Sequence, residues 1–190
     1  MVITQKDVND DLHMLVQSME RENRPLASAK KALKLSMFWP MSCVVGYALA
    51  TIWTVYQFKP QKDNFDNFTT LTGEYGFAFA AVAVSVFFAM VISAIFYGPM
   101  LAYLSLDENV RKNSLIISRV KESVLKMGFF FIVINFFLAI FSIFRPEFLA
   151  ASPFVLMISF IIMQCVLSAE LTRYGIASVM GKLSKLVKKI

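Results

Sequence analysis

Four stretches of this chain run without a single Asp, Glu, Lys or Arg: Leu35 to Phe58 (24 residues), Tyr75 to Leu106 (32), Met127 to Phe144 (18) and Phe148 to Ala169 (22). An α-helix rises about 1.5 Å per residue and a bilayer's hydrocarbon core is about 30 Å thick, so roughly 20 apolar residues cross it. Each stretch meets that length or falls just short. The third, the shortest, has Lys126 and Arg145 at its ends, whose long side chains can carry their charges to the two interfaces. Composition agrees: 57% of the residues are hydrophobic, 19 are Phe, and 17% are charged, where a soluble domain has nearer a quarter. The expected fold is all-α, an integral membrane protein of four spans.

The basic residues assign the sides. Residues 1–34 hold six (Lys6, Arg21, Arg24, Lys30, Lys31, Lys34), the segment between spans two and three holds five (Arg111, Lys112, Arg119, Lys121, Lys126), and the tail holds five (Arg173, Lys182, Lys185, Lys188, Lys189). The opposite side has only Lys59, Lys62 and Arg145. Cytoplasmic loops are enriched in Lys and Arg, so both termini and the middle segment are expected inside. The net charge of +6 then reads as a topology signal, and no nucleic-acid partner is expected. Thirty-four mostly polar residues precede the first apolar run, which is too long for a signal peptide, so the N-terminus is expected to be retained.

The resulting order is a cytoplasmic amphipathic helix over 1–25, spans over 26–58 and 75–106 joined by an outer loop at 59–74, and a cytoplasmic helical loop at 107–126. A span at 127–144, an outer turn at 145–147, a span at 148–169 and a basic amphipathic tail at 170–190 complete it. Val8, Leu12, Leu15, Val16 and Met19 recur at helical spacing, with Thr4 and Asp7 placed to cap the start and Pro25 to end the run. That apolar stripe needs a destination: the inner leaflet, the middle loop, or a partner. The tail carries a similar stripe (Ile176, Val179, Met180, Leu183, Leu186, Val187, Ile190), with its lysines mostly off it, which suits anionic headgroups. The middle loop has no Gly or Pro, and Asp107 can cap a helix running directly into span three, so spans two and three are expected to extend beyond the membrane.

Lipid gives helices no hydrophobic reason to associate, so small residues that permit close approach mark contact faces. Span one offers Ser42, Gly46 and Ala50. Span two offers Ala81, Ser85, Ala89 and Ser93, with Ala94 and Gly98 offset by one. Spans one and two are expected to form a tight antiparallel pair through these ladders. Pro40 and the Gly98-Pro99 pair predict bends. Asn135 and Gln164 are the only amide side chains deep in apolar stretches, and each needs a partner because hydrocarbon offers none. Asn135, Ala139 and Ser142 share a face, which is expected to point inward.

No phosphate loop, metal-ligand cluster or nucleophile paired with a base is apparent, so neither catalysis nor a cofactor is expected. His13, among Asp10, Asp11 and Glu20, reads as solvated, and Cys43 and Cys165 read as small apolar fillers. No ionisable group lies within the four stretches, which disfavours ion-coupled transport. A chain whose mass is spans, a basic layer and a short loop is expected to act by binding lipid and other proteins. In the outer loop Phe65, Phe68, Leu71 and Tyr75 are the candidate partner contacts.

The size, the polar start (Met1, Val2, Ile3, Thr4, Gln5), the apolar spans and the basic end together resemble the TraS-type entry exclusion proteins of F-like conjugative plasmids. The resemblance covers the whole chain in outline. It implies a non-enzymatic inner-membrane protein of a plasmid-bearing recipient that blocks redundant DNA transfer by recognising a TraG-type mating-pair protein of the donor. The residues alone leave a second class open: a small accessory or assembly subunit of a larger membrane complex, or a homo-oligomeric channel.

Overall fold

A computed structural model describes residues 5–20, 27–62 and 68–173. Among these the protein is all-α, with no strand beyond one isolated bridge between Lys62 and Phe68. The helices are α1 (Gln5–Glu20), α2 (Ala29–Gln57), α3 (Leu71–Ser105), α4 (Glu108–Asn113), α5 (Leu115–Phe144) and α6 (Ser152–Arg173); a 3-10 segment, Pro146–Ala151, leads into α6. Four helical segments are long and apolar enough to cross a membrane: Ala29–Gln57, Leu71–Ser105, Leu115–Phe144 and Pro146–Arg173. At 35 and 30 residues, α3 and α5 exceed the roughly 20 that crossing requires, so both carry turns beyond the hydrocarbon. The outer turn expected at 145–147 is the start of the longer 3-10 segment, and Pro146 at its first position suits a fixed φ.

The core is a stack of two layers that gives the order of the helices. One contains Trp39, Cys43 and Val44 of α2 with Ala89, Ile92 and Phe96 of α3, Phe131 of α5, and Leu156 and Met163 of α6. The other contains Tyr47 and Ala50 with Ala78 and Val82, Ala139 and Leu149. As the α2 numbers rise between layers the α3 numbers fall, so the two helices run antiparallel. Edge-to-face rings reinforce the first layer: Trp39 on Phe96 at 6.0 Å and on Phe131 at 6.4 Å, with Phe96 on Phe160 at 5.9 Å. Gly128 faces the indole, and a Cβ there would stand 3.4 Å from Trp39 Cδ1, in ordinary van der Waals contact. Outside the stack, large apolar side chains such as Phe38, Ile52, Phe87, Phe129, Phe137, Phe154 and Ile158 are exposed. In water such a belt would aggregate; in a bilayer it is the lipid contact.

The two ends of the bundle differ. At one end α1, α4, the start of α5 and the last turns of α6 gather: Leu15, Leu106 and Ile116 are buried together, with Val8, Leu12, Val110, Ile117, Val120 and Leu171 packed on them. Of the destinations open to the α1 stripe, the middle segment takes Val8, Leu12 and Leu15. The helix expected to run unbroken from Asp107 into span three is instead two helices. Asp107 caps only α4, accepting from the Asn109 amide at 3.4 Å, and the chain turns at Ser114, which caps α5 by accepting from the Ile117 amide at 3.2 Å. Ser114 sits in extended geometry, φ −66° and ψ 122°, which starts a helix and does not continue one. The opposite end, called here the loop end, comprises residues 58–62 and 68–70 and the 3-10 segment. There the Thr69 amide donates to the Gln61 carbonyl at 2.8 Å and the Gln61 amide to Thr69 Oγ1 at 3.0 Å, pinching the loop closed at its base. The basic tail, Thr4 and Pro25 lie outside the described residues.

Candidate functional site

Asn135 is fully buried, midway along an 18-residue uncharged stretch. Tyr47 and Ser159 stand at nearly the same midpoints of their own stretches, so helix periodicity and span length bring three polar groups to one depth. The Tyr47 hydroxyl donates to Asn135 Oδ1 at 2.6 Å, and Asn135 Nδ2 donates to the Phe131 carbonyl at 2.7 Å and toward Ser159 Oγ at 3.4 Å. Ser159 in turn donates to the Val155 carbonyl at 2.7 Å. Both ends of the amide are satisfied, and α2, α5 and α6 are joined through one side chain. Interhelical bonds of this kind contribute about 0.6 to 2 kcal/mol each. A second tie joins α3 to the start of α6, where Ser85 Oγ, with one proton to give, stands 2.8 Å from Ser152 Oγ and 3.0 Å from the Ala81 carbonyl and donates to one or the other.

The small-residue ladders are placed differently from their expected face-to-face contact. Ala81, Ser85, Ala89 and Ser93 are all buried, whereas the offset Ala94 and Gly98 are exposed. On α2, Ala50 is buried in the second core layer, but Gly46 approaches α5: a Cβ there would meet Ala139 Cβ at 3.3 Å and the Phe136 ring at 3.6 Å. Ser42 is only half-buried and returns its hydroxyl to the Phe38 carbonyl at 2.6 Å. The ladder on α2 therefore winds from one neighbour to the next, because α2 is wedged between α3 and α5 and a four-residue spacing drifts around a 3.6-residue helix. Gln164 is half-buried and makes no hydrogen bond to another described residue, unlike Asn135. Cys43 is buried, but Cys165 is exposed on α6 and fills no core. His13 is exposed.

At the loop end Phe68 is 67% exposed and sits beneath the Lys62 ammonium, 5.9 Å from its ring centroid. Leu71 and Tyr75 are half-buried. The Tyr75 ring packs edge-to-face on Phe58 at 6.3 Å, tying the loop ends of α2 and α3 together. Of the three candidate contacts within the described residues Phe68 is thus the exposed one, and Phe65 lies outside the described residues. A cleft of about 300 Å³ opens beside them between the ends of α2, α3 and α5.

At the α1 end a charge replaces the neutral groups of the interior. Asp11, 7% exposed, accepts from Ser114 Oγ at 2.8 Å and from the Ile116 amide at 2.9 Å, holding a carboxylate at the N-terminus of α5 where the helix dipole favours it. Arg111 lies over the Tyr103 ring at 5.6 Å. On the surface, Lys112 pairs with Glu108 at 2.7 Å, and that hydrogen bond, with the attraction of the same ammonium, holds the Glu108 carboxyl below its usual range. Among the described residues no three His, Cys, Asp or Glu come together as metal ligands.

Chemically, the midplane node can hold helices together, and the two ends can present surfaces. No protein-family model, no curated protein and no solved structure matches the chain.

Proposed function

We propose that this multi-pass membrane protein is non-enzymatic and acts by recognising another membrane protein, and that its specific role is conjugative entry exclusion in a plasmid-bearing cell. The observation that carries the first part is the use to which Asn135 is put. Among the described residues Asn135 is the amide fully buried at mid-depth, and its oxygen and its NH2 group are both engaged, by Tyr47 and by Phe131 and Ser159, which suits a structural tie better than a solute path. Accessible polar and aromatic groups lie instead at the two ends, Phe68 and Lys62 foremost. The second part rests on the resemblance in size, span layout and charged ends to TraS-type proteins, with a TraG-type mating-pair protein as the partner. The basic flanks support an arrangement with α1 and α4 in the cytoplasm of a bacterial inner membrane and the loop end outside.

Expression of this gene alone in a recipient should make that cell a poor recipient for a related F-like plasmid while leaving transfer of an unrelated plasmid intact. An unchanged conjugation frequency with the protein present in the membrane would exclude that role.

A further inference from the structure

The cleft at the loop end lies where three spans change character together. The uncharged stretch of α2 ends at Phe58 and Lys59 follows; that of α3 begins at Tyr75 and Glu74 precedes it; that of α5 ends at Phe144 and Arg145 follows. Lys59, Glu74, Phe58, Tyr75 and Phe144 all line the cleft. A cavity walled by the last apolar residue and the first charged one of adjacent spans sits at headgroup depth, and the exposed Trp53 on the same wall is the residue type that settles there. At that depth the most abundant small polar group is a phospholipid headgroup.

The lining selects among headgroups. Lys59 and Glu74 put opposite charges on one cleft, both are exposed, and no ion pair joins them or ties Lys59 to any other described residue. Gln57 and Gln61 add amide donors and acceptors, while Ile143 and Phe144, at the end of the uncharged stretch of α5, add apolar lining. Its volume, about 300 Å³, is at the lower end for small-molecule sites and suits a headgroup better than a whole lipid. We propose that this cleft is a site for an aminophospholipid, with Lys59 holding the phosphate, Glu74 accepting from the primary ammonium, and the acyl chains leaving over Ile143 and Phe144. A glycerol headgroup could offer Glu74 only neutral hydroxyl donors, without the charge that strengthens an ammonium's hydrogen bond. A trimethylated ammonium would have no N–H to give it.

Native mass spectrometry of the full chain, extracted in detergent and offered equal amounts of phosphatidylethanolamine, phosphatidylglycerol and phosphatidylcholine, tests the assignment. The expected result is preferential retention of one phosphatidylethanolamine, reduced about tenfold by Glu74→Gln and by Lys59→Gln, as for loss of one charge-assisted hydrogen bond. Glu147→Gln, beside the cleft but outside its lining, should leave retention unchanged. Both cleft residues are exposed, so the variants should keep the helical circular dichroism and melting temperature of the parent, which separates lost binding from lost fold. Equal retention of the three lipids, or a phosphatidylethanolamine preference that survives both substitutions, would overturn the proposal. Neither result bears on conjugation, so this site stands or falls apart from the exclusion role.

Discussion

The midplane of the bundle and the corner where α1 meets α5 both bury polar groups, and they satisfy them by different means. At the midplane every partner is neutral: a phenol, a serine and the Phe131 carbonyl close on the Asn135 amide, and the serine in turn donates to the Val155 carbonyl. At the corner a carboxylate, Asp11, takes the Ser114 hydroxyl and the Ile116 amide. Hydrocarbon penalises an isolated charge severely, whereas an end of the bundle that reaches water can solvate what remains of one. Each region is therefore built from the groups its solvent permits, and exchanging the two kinds should harm both.

The largest effect is expected at Asn135. Asn135→Leu strands the Tyr47 hydroxyl in an apolar interior and should destabilise the bundle by about 2–4 kcal/mol in reversible unfolding from bilayer-like micelles. Adding Tyr47→Phe removes the stranded donor as well, so the double variant should be more stable than Asn135→Leu alone. If the double variant is the less stable of the two, the bond to Tyr47 does not matter energetically. Next comes packing. Gly46→Leu drives a side chain into Ala139 and Phe136 and should cost about 1–3 kcal/mol, while Gly46→Ala should cost less and be partly rescued by Ala139→Gly. A Gly46→Leu protein as stable as the parent would show that α2 and α5 are not in close contact there.

At the corner, Asp11→Ala removes the carboxylate that accepts from the Ser114 hydroxyl and the Ile116 amide at the start of α5, and should cost about 1–2 kcal/mol. Its signature is local: faster amide exchange in residues 115–118 and easier proteolytic release of α1, with the midplane unchanged. Asp11→Asn, which can still accept both bonds, should lose less. The smallest effect belongs to Glu108, exposed and paired with Lys112. Its carboxyl is held below its usual range in the folded protein, so whatever stability the pair contributes is present above about pH 4.5 and fades as pH falls through the lowered value. Glu108→Gln should accordingly lower the melting temperature slightly at pH 7, by a difference that shrinks as pH falls through the lowered value and is readable by thermal denaturation.

The four spans were legible because charge-free runs of bilayer length have few other uses, and Asn135 because an amide in such a run has to find a partner. Its face, shared with Ala139 and Ser142, is buried along its length. Its donor was hidden: Tyr47 lies 88 residues away, and a tyrosine within a span carries no local sign that its hydroxyl is spoken for. The break at Ser114 left no Gly or Pro behind, and only Asp11, from another helix, makes a serine there a turning point. Asp11 itself stands among Asp7 and Asp10, which gave no cue that one acid of the three is buried. Gly46 was read as part of the face toward α3, when the crowding it relieves comes from α5. Local pattern thus reported which groups had to be buried, and tertiary packing decided against what.

The central claim is that four helices cross the membrane and place the α1 end and the loop end on opposite sides. In a chain with Cys43 and Cys165 replaced by serine, a cysteine at Phe68 should react with an impermeant thiol reagent applied to intact cells. One at Asn113, exposed at the α1 end, should react only after the membrane is opened. Labelling of both positions from the same side would contradict it.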